Sequence, residues 1–318
     1  MKLSVIVPLY NKAPYIQRAL ESVFAQTWVD YEILVVDDGS TDEGAKIVRR
    51  FRDPRLRVIS QANAGPGASR NRGLKEAQGA YVAFLDADDE WLPAFLERSV
   101  AVLDRPGRGL ATVSSGYLLY PGGRSTEEMW RKRGLREGIY EVNTETPPRF
   151  LVYLLAYLSP WNTMARRDVL LRWGGFFSEN RCVYGEDSYL WLKILMNEPV
   201  GLILEPLACF HTEASALSGN LSGARPVEPI LTNPEGIEAC CPDALRTLLR
   251  QVLTLRAIKT ACVLSYWGQW REGRKVLRQF VPGSGWHVPG LWVAQLCATP
   301  LGALAGRAFR LMRQRGSA

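Results

Sequence analysis

The amino-acid sequence predicts an α/β fold: a mainly parallel sheet flanked by helices, followed by a C-terminal helical extension. Three observations carry this. Up to about Tyr120 strand-like and helix-like stretches alternate, the pattern of βαβ units. The runs Ile33 to Val36 and Val82 to Leu85 are continuously apolar, as strands buried on both faces are. Both runs end in carboxylates, Asp37-Asp38 and Asp86-Ala87-Asp88-Asp89, and open α/β sheets bind ligands outside the carboxyl ends of their strands.

The elements follow in order. A first strand covers Lys2 to Val7 and turns at Pro8-Leu9-Tyr10-Asn11 where a dinucleotide-binding fold would carry GxGxxG, so that class is set aside. Its leading residues have one basic side chain and too short an apolar run for a signal peptide. A helix over Tyr15 to Gln26 and a strand over Tyr31 to Val36 come next. The following helix spans Glu43 to Phe51, with Ser40 and Glu43 at capping-box spacing. Strand Leu56 to Ser60, a helix from Pro66 to Ala77 and strand Ala80 to Leu85 complete the alternation, and another strand covers Leu110 to Tyr120. After the polar stretch Pro121 to Glu137 the pattern is mixed, until Glu186 and Asp187 open an apolar helix reaching Met196. Beyond Pro242 the chain reads as helical and basic.

With 318 residues, 47% of them hydrophobic and 22% charged, the chain can bury one large core or two modest ones. Its six cysteines lack CxxC spacing and the density of a disulfide scaffold, which favours a reducing cytoplasm and buried thiols over a zinc site. Charge is uneven: residues 245–318 hold twelve Lys or Arg against the single acid Glu272. That asymmetry calls for an anionic partner.

Three carboxylates within four residues at a strand exit repel one another, and a divalent cation with oxygen preference, Mg²⁺ or Mn²⁺, relieves this best. An anionic, metal-bridged ligand is the expected consequence. A lone pair such as Asp37-Asp38 would read as turn residues; two acidic exits in one sheet read as a site.

Read in order, Val5-Ile6-Val7-Pro8-Leu9-Tyr10-Asn11, Asp37-Asp38-Gly39-Ser40-Thr41-Asp42, Gly67-Ala68-Ser69-Arg70-Asn71-Arg72-Gly73, Asp86-Ala87-Asp88-Asp89, Gly174-Gly175-Phe176 and Glu186-Asp187 with Leu190-Trp191 resemble a family 2 glycosyltransferase of the GT-A fold. The resemblance covers about the first 215 residues. It implies transfer of a sugar from a nucleotide diphosphate donor, most often a UDP-sugar, with inversion of the anomeric centre. It divides the chain into a nucleotide-sugar-binding half (1–120), an acceptor-binding and catalytic-base half (121–242) and a basic helical extension (243–318).

The resemblance also implies roles. Pro8 and Tyr10 line the nucleotide pocket, with Tyr10 stacked on the base, and Asp38 accepts a pyrimidine N3–H. Asp86 lies near ribose or metal, Asp88 is the direct ligand of Mg²⁺ or Mn²⁺, and Arg70 adds positive charge beside the nucleotide. His211 resembles the histidine that reaches the metal or diphosphate, although Ala208 and Cys209 stand where a basic residue is usual. Asp187 matches the general base that takes the proton of the acceptor hydroxyl. The acceptor is a saccharide or lipid-linked saccharide of a surface polysaccharide or glycoconjugate. A sugar-phosphate nucleotidyltransferase would need a Gly-rich basic loop after the first strand, and a non-catalytic nucleotide-sugar-binding protein would be expected to lack Asp88 or Asp187.

Phe280 to Gly306 contains no charged residue but is broken by Pro282, Pro289 and Pro300, and the basic cluster Arg307, Arg310, Arg313 and Arg315 follows. The pattern predicts in-plane attachment to an acidic membrane surface, on the inner face of the plasma membrane, with Leu291, Trp292 and Leu296 inserting. No nucleic-acid module accompanies the arginines, so nucleic acid is not expected as a partner. His287 is expected to pack or to sit at an interface.

Overall fold

The structure is a computed structural model and describes residues 2–107, 109–215, 223–281, 291–304 and 306. The chain divides into two compact units, 1–143 with 153–219 and 144–152 with 220–318.

In the first unit β1 (Leu3–Leu9), α1 (Ile16–Phe24), β2 (Tyr31–Asp37), α2 (Gly44–Val48), β3 (Leu56–Ser60), α3 (Pro66–Glu76) and β4 (Tyr81–Phe84) alternate as the sequence predicts. Then come β5 (Glu90–Trp91), α4 (Phe95–Leu103), β6 (Thr112–Tyr120), β7 (Arg124–Ser125), α5 (Glu127–Lys132), β8 (Gly138–Tyr140) and α6 (Pro148–Tyr157), of which residues 148–152 count with the second unit. After these lie β9 (Thr163–Arg166), α7 (Arg167–Arg172), α8 (Glu186–Asn197) and β10 (Val200–His211). The sheet runs β3-β2-β1-β4-β9-β6-β10-β5, with β7 on β6 and β8 on β10. β1 pairs in parallel with β2 on one side and β4 on the other. Strand order therefore reverses between β1 and β4, which makes their carboxyl ends a topological switch point. β9 runs antiparallel to both β4 and β6. Its residues Thr-Met-Ala-Arg carry no alternation long enough to announce a strand.

Alternate residues of β1 and β2, Leu3, Val5, Val7, Leu9, Ile33 and Val35, share one core with Ile16, Leu20 and Val23 of α1. Each such fully buried aliphatic side chain stabilises the fold by roughly 1.5–3 kcal/mol. On β1 the side chain of Ile6 meets α3 at Gly73, where an added Cβ would lie 2.5 Å from Ile6 Cγ2. β10 carries register shifts around Pro206, as expected where a ladder N–H is missing. The predicted capping box of α2 does not form: Ser40 Oγ accepts from Asn11 N at 3.2 Å, and Asp42 Oδ1 takes the Gly44 N–H at 2.9 Å. Both of these side chains are used to fasten the turn, and α2 is correspondingly short.

The second unit contains α9 (Pro229–Thr232), α10 (Glu235–Glu238), α11 (Arg246–Tyr266), α12 (Trp270–Phe280) and α13 (Leu291–Cys297). Ile258, Ala261, Leu277, Ala294 and Ala298 form its small core, and Glu228 and Arg256 are a buried ion pair. Thr254 Oγ1 donates to the Phe280 carbonyl at 2.8 Å and ties α11 to the end of α12. Among the described residues no helix is long and apolar enough to cross a membrane. Arg307, Arg310, Arg313, Arg315, Pro282, Trp286, His287 and Pro289, together with the side chains of Leu291 and Trp292, lie outside the described residues.

Candidate active site

The exit of β4 builds the site. Asp86, Asp88 and Asp89 follow Phe84 and Leu85 beside the exit of β1, where Leu85 N donates to Ile6 O at 3.0 Å. Lys12 Nζ donates to Asp88 Oδ2 at 2.5 Å and to the Ala214 carbonyl at 2.8 Å. From α1, Arg18 Nη2 donates to the Asp88 carbonyl at 2.8 Å and Arg18 Nε lies 3.1 Å from Glu90 Oε1. Burial raises the Asp88 carboxyl pKa, the charge of Asp86 adds to this, and Lys12 opposes it. Asp89 is 1% exposed and is pushed well above the usual carboxylate range by burial and by Asp86 and Asp88. The cluster is costly to ionise as a whole, and a positive charge placed against it lowers that cost.

β10 ends at this cluster. The His211 main-chain N–H donates to Asp89 Oδ1 at 2.9 Å. The imidazole stacks on Tyr120 at 4.9 Å and is held from both sides, Nε2 to Glu90 at 2.6 Å and Nδ1 to Glu213 at 2.9 Å. Among the described residues no three His, Cys, Asp or Glu side chains already converge as a metal-binding group.

Arg70, on the buried face of α3, joins two parts of the site. Nη2 donates to Asp86 Oδ1 and Nη1 to Glu186 Oε1, each at 2.7 Å, and the guanidinium lies over Phe176 with 5.3 Å to the ring centroid. Asp86 and Glu186 raise the Arg70 pKa despite its burial, so the side chain is permanently charged. Helix α3 starts close against the Phe177 carbonyl: a Cβ on Gly67 would come within 2.2 Å of that oxygen, which is why this turn requires glycine.

Glu186 and Asp187 form the first turn of α8, which begins after Gly185 in the left-handed conformation (φ 77°). The Asp187 carboxyl is pushed up to about 7 by burial first and by the Glu186 charge second, against the pull of Arg70. It is half-buried, a carboxylate poised to exchange a proton near neutrality.

At the exits of β1 and β2, Pro8 is partly buried and Tyr10 is 48% exposed, leaving the Tyr10 ring free to stack. Asp38 is buried and accepts from Gln61 Nε2 at 2.7 Å and from the Ala64 and Gly65 N–H groups at 2.9 Å each. It therefore anchors the loop between β3 and α3. Trp161 is a core residue, stacked on Phe210 at 5.0 Å. The structure thus brings Asp86, Arg70 and the Glu186-Asp187 turn together, and joins Asp88, Asp89 and His211 in a second linked group. Lys12, Arg18 and Glu90 were not singled out by motif; only the adjacency of β1, α1 and β4 reveals them.

The family model described as "Glycosyl transferase family 2" matches residues 4–174. The chain belongs to glycosyl transferase family 2. Relatives include the uncharacterized glycosyltransferase YibD of Escherichia coli (strain K12), 39% identical over 54% of this chain and 50% of that one. The uncharacterized glycosyltransferase EpsJ of Bacillus subtilis (strain 168) is 34% identical over 68% of this chain and 62% of its own length. The succinoglycan biosynthesis protein ExoW of Rhizobium meliloti (strain 1021) is 49% identical over 30% of this chain and 32% of its own. The chain thus spans about half the length of YibD and under two thirds of EpsJ. Among solved structures, S. aureus TarS 1–349 in complex with UDP-GlcNAc superposes with a TM-score of 0.57 at 21% identity, over 91% of this chain and 95% of that chain. That likeness shows the GT-A fold.

Proposed function

We propose that this family 2 protein is an inverting glycosyltransferase. It moves a sugar from a UDP-sugar to a hydroxyl of a saccharide or lipid-linked saccharide in surface polysaccharide or glycoconjugate synthesis. One observation carries the reading: Arg70 joins Asp86, at the exit of β4, to Glu186, next to the poised carboxyl of Asp187. Donor-side and base-side carboxylates are thereby held in one electrostatic unit.

The nucleotide lies against Pro8 and Tyr10, the base stacks on the Tyr10 ring, and Asp38 Oδ2, which takes one N–H here, accepts the pyrimidine N3–H. The sugar's anomeric carbon faces Asp187. As the acceptor oxygen attacks that carbon, its proton passes to Asp187 Oδ and the bond from the carbon to the diphosphate oxygen breaks. Positioned proton transfer of this kind contributes roughly 10²- to 10⁴-fold. Arg70 keeps the charge of Asp86 and Glu186 compensated, so Asp187 retains its basicity without drifting further upward.

The donor chemistry of the β4 exit fits a divalent cation: the oxygen ligands Asp86 and Asp88 would hold Mg²⁺ or Mn²⁺, with Asp88 already reluctant to carry its charge unaided. Such an ion supplies charge stabilisation to the departing diphosphate. His211 would join it only on giving up Glu90 or Glu213.

The second unit is proposed to hold the enzyme on the cytoplasmic face of an acidic membrane. The supporting observation is α12, which buries Gly273, Val276 and Leu277 and exposes Arg271, Arg274, Lys275 and Arg278. Incubation of the full chain with a panel of nucleotide sugars, mild acceptors and Mn²⁺, followed by detection of released nucleoside diphosphate, tests the activity. UDP release from a UDP-sugar supports it, and release from none of the panel at any acceptor defeats it.

A further inference from the structure

Lys12 stands one residue past Asn11, at the exit of β1, and its ammonium lies on the carboxylate expected to bind a cation. The contact with Asp88 Oδ2 is 2.5 Å, the pair is mostly buried with side chains 22% and 12% exposed, and a second donation fixes the ammonium on the Ala214 carbonyl at 2.8 Å. The Tyr15 ring centroid is 5.7 Å away. Asp88 is the one carboxylate paired with Lys12 among the described residues.

An ammonium and a divalent cation cannot both sit on Asp88 without like-charge repulsion. A displaced ammonium, partly buried, needs another anion. Its four-carbon stem lets it swing as a point charge, which a guanidinium fork does less freely. An incoming diphosphate is the anion that arrives at the same place. We propose that Lys12 is an exchanging counter-ion: it balances Asp88 in the donor-free enzyme, yields Asp88 to the divalent cation, and then pairs with the donor diphosphate. This rests on the reading of Asp88 as a cation ligand. It assigns Lys12 a positioning and donor-binding role.

The test uses the full chain without donor. Free Mn²⁺ is followed by electron paramagnetic resonance during titration of wild type, Lys12→Met, Lys12→Gln and Asp88→Asn, with thermal melting to verify that each is folded. UDP binding in saturating Mn²⁺ is measured by calorimetry. Removing the competing ammonium should tighten Mn²⁺ binding of both Lys12 variants about tenfold and weaken UDP binding about tenfold, the size of one partly buried charge contact. Lys12→Arg should hold UDP affinity within about threefold of wild type, because a charge still reaches the diphosphate. Unchanged or weaker Mn²⁺ binding in both Lys12 variants overturns the competition, and unchanged UDP affinity overturns the hand-over to the diphosphate. If Asp88→Asn binds Mn²⁺ as wild type does, the cation sits elsewhere; the underlying reading of Asp88 then fails, and the role of Lys12 with it.

Discussion

Arg70 Nη1 lies 2.7 Å from Glu186 Oε1, joining residues 116 positions apart in sequence. The second arm of the same guanidinium holds Asp86, so one cation serves both acidic motifs. Arg70→Met should lower stability by about 3 kcal/mol, because two largely buried carboxylates lose their partner. Urea unfolding measures this. Loss of the Arg70 charge should also raise the Asp187 pKa further, so any activity that survives should have its acid limb displaced to higher pH. A variant as stable as wild type would show that the bridge is dispensable.

Asp187→Asn should bind donor normally and lose transfer by at least about 10²-fold. The wild-type rate should fall as pH drops through about 7, where Asp187 takes up its proton. The same shift acts on folding with a definite sign. The carboxyl pKa is raised in the native state, so its contribution is fully favourable below the ordinary value of 3.8 and is lost as pH rises through about 7. Asp187→Asn should therefore melt higher than wild type at pH 8 and close to it at pH 4. Turnover and melting curves on one preparation separate a base from a helix-start residue: the latter would lose stability with little loss of rate.

UDP should bind more tightly with Mn²⁺ or Mg²⁺ than with chelator, since without the cation Lys12 stays on Asp88 and no free positive charge there meets the diphosphate. Asp88→Asn should reduce that metal dependence to within about threefold. Calorimetry in metal and in chelator decides the matter, and equal affinities in wild type would remove the metal bridge.

Acidic vesicles should sediment with the full chain at low salt and lose it as salt rises, as screening within the Debye length requires. Reversing Arg271, Arg274 and Lys275 to Glu should abolish binding, each basic residue near the surface contributing about 1 kcal/mol. Binding that survives both salt and charge reversal would place the contact on apolar residues instead.

Much of the first unit was legible from alternating apolar runs because β1, β2 and β4 are buried on both faces and need no partner information to be seen. The acidic exits were legible for the same reason, as charges abutting uncharged strands. Short antiparallel strands such as β9 were not, since Thr163–Arg166 becomes a strand only between β4 and β6. Resemblance could mark Gly67 and Gly73, but their reason lies in the Phe177 carbonyl and the Ile6 side chain, partners far away along the chain. Lys12 likewise has no motif of its own; it matters because β1 ends beside β4. Ser40 illustrates the opposite failure, a local signature outcompeted by the need to fasten the turn to Asn11.

The second unit takes residues 144–152 from the middle of the chain as well as 220–318. A stop codon placed ahead of residue 220 therefore does not excise a module. It strands residues 144–152 without the rest of their unit. Laboratories that wish to compare the catalytic unit with and without its basic companion will obtain cleaner material from surface charge reversal than from shortened genes. Chimeras between family members will need three junctions, near residues 143, 153 and 219, to exchange one unit intact.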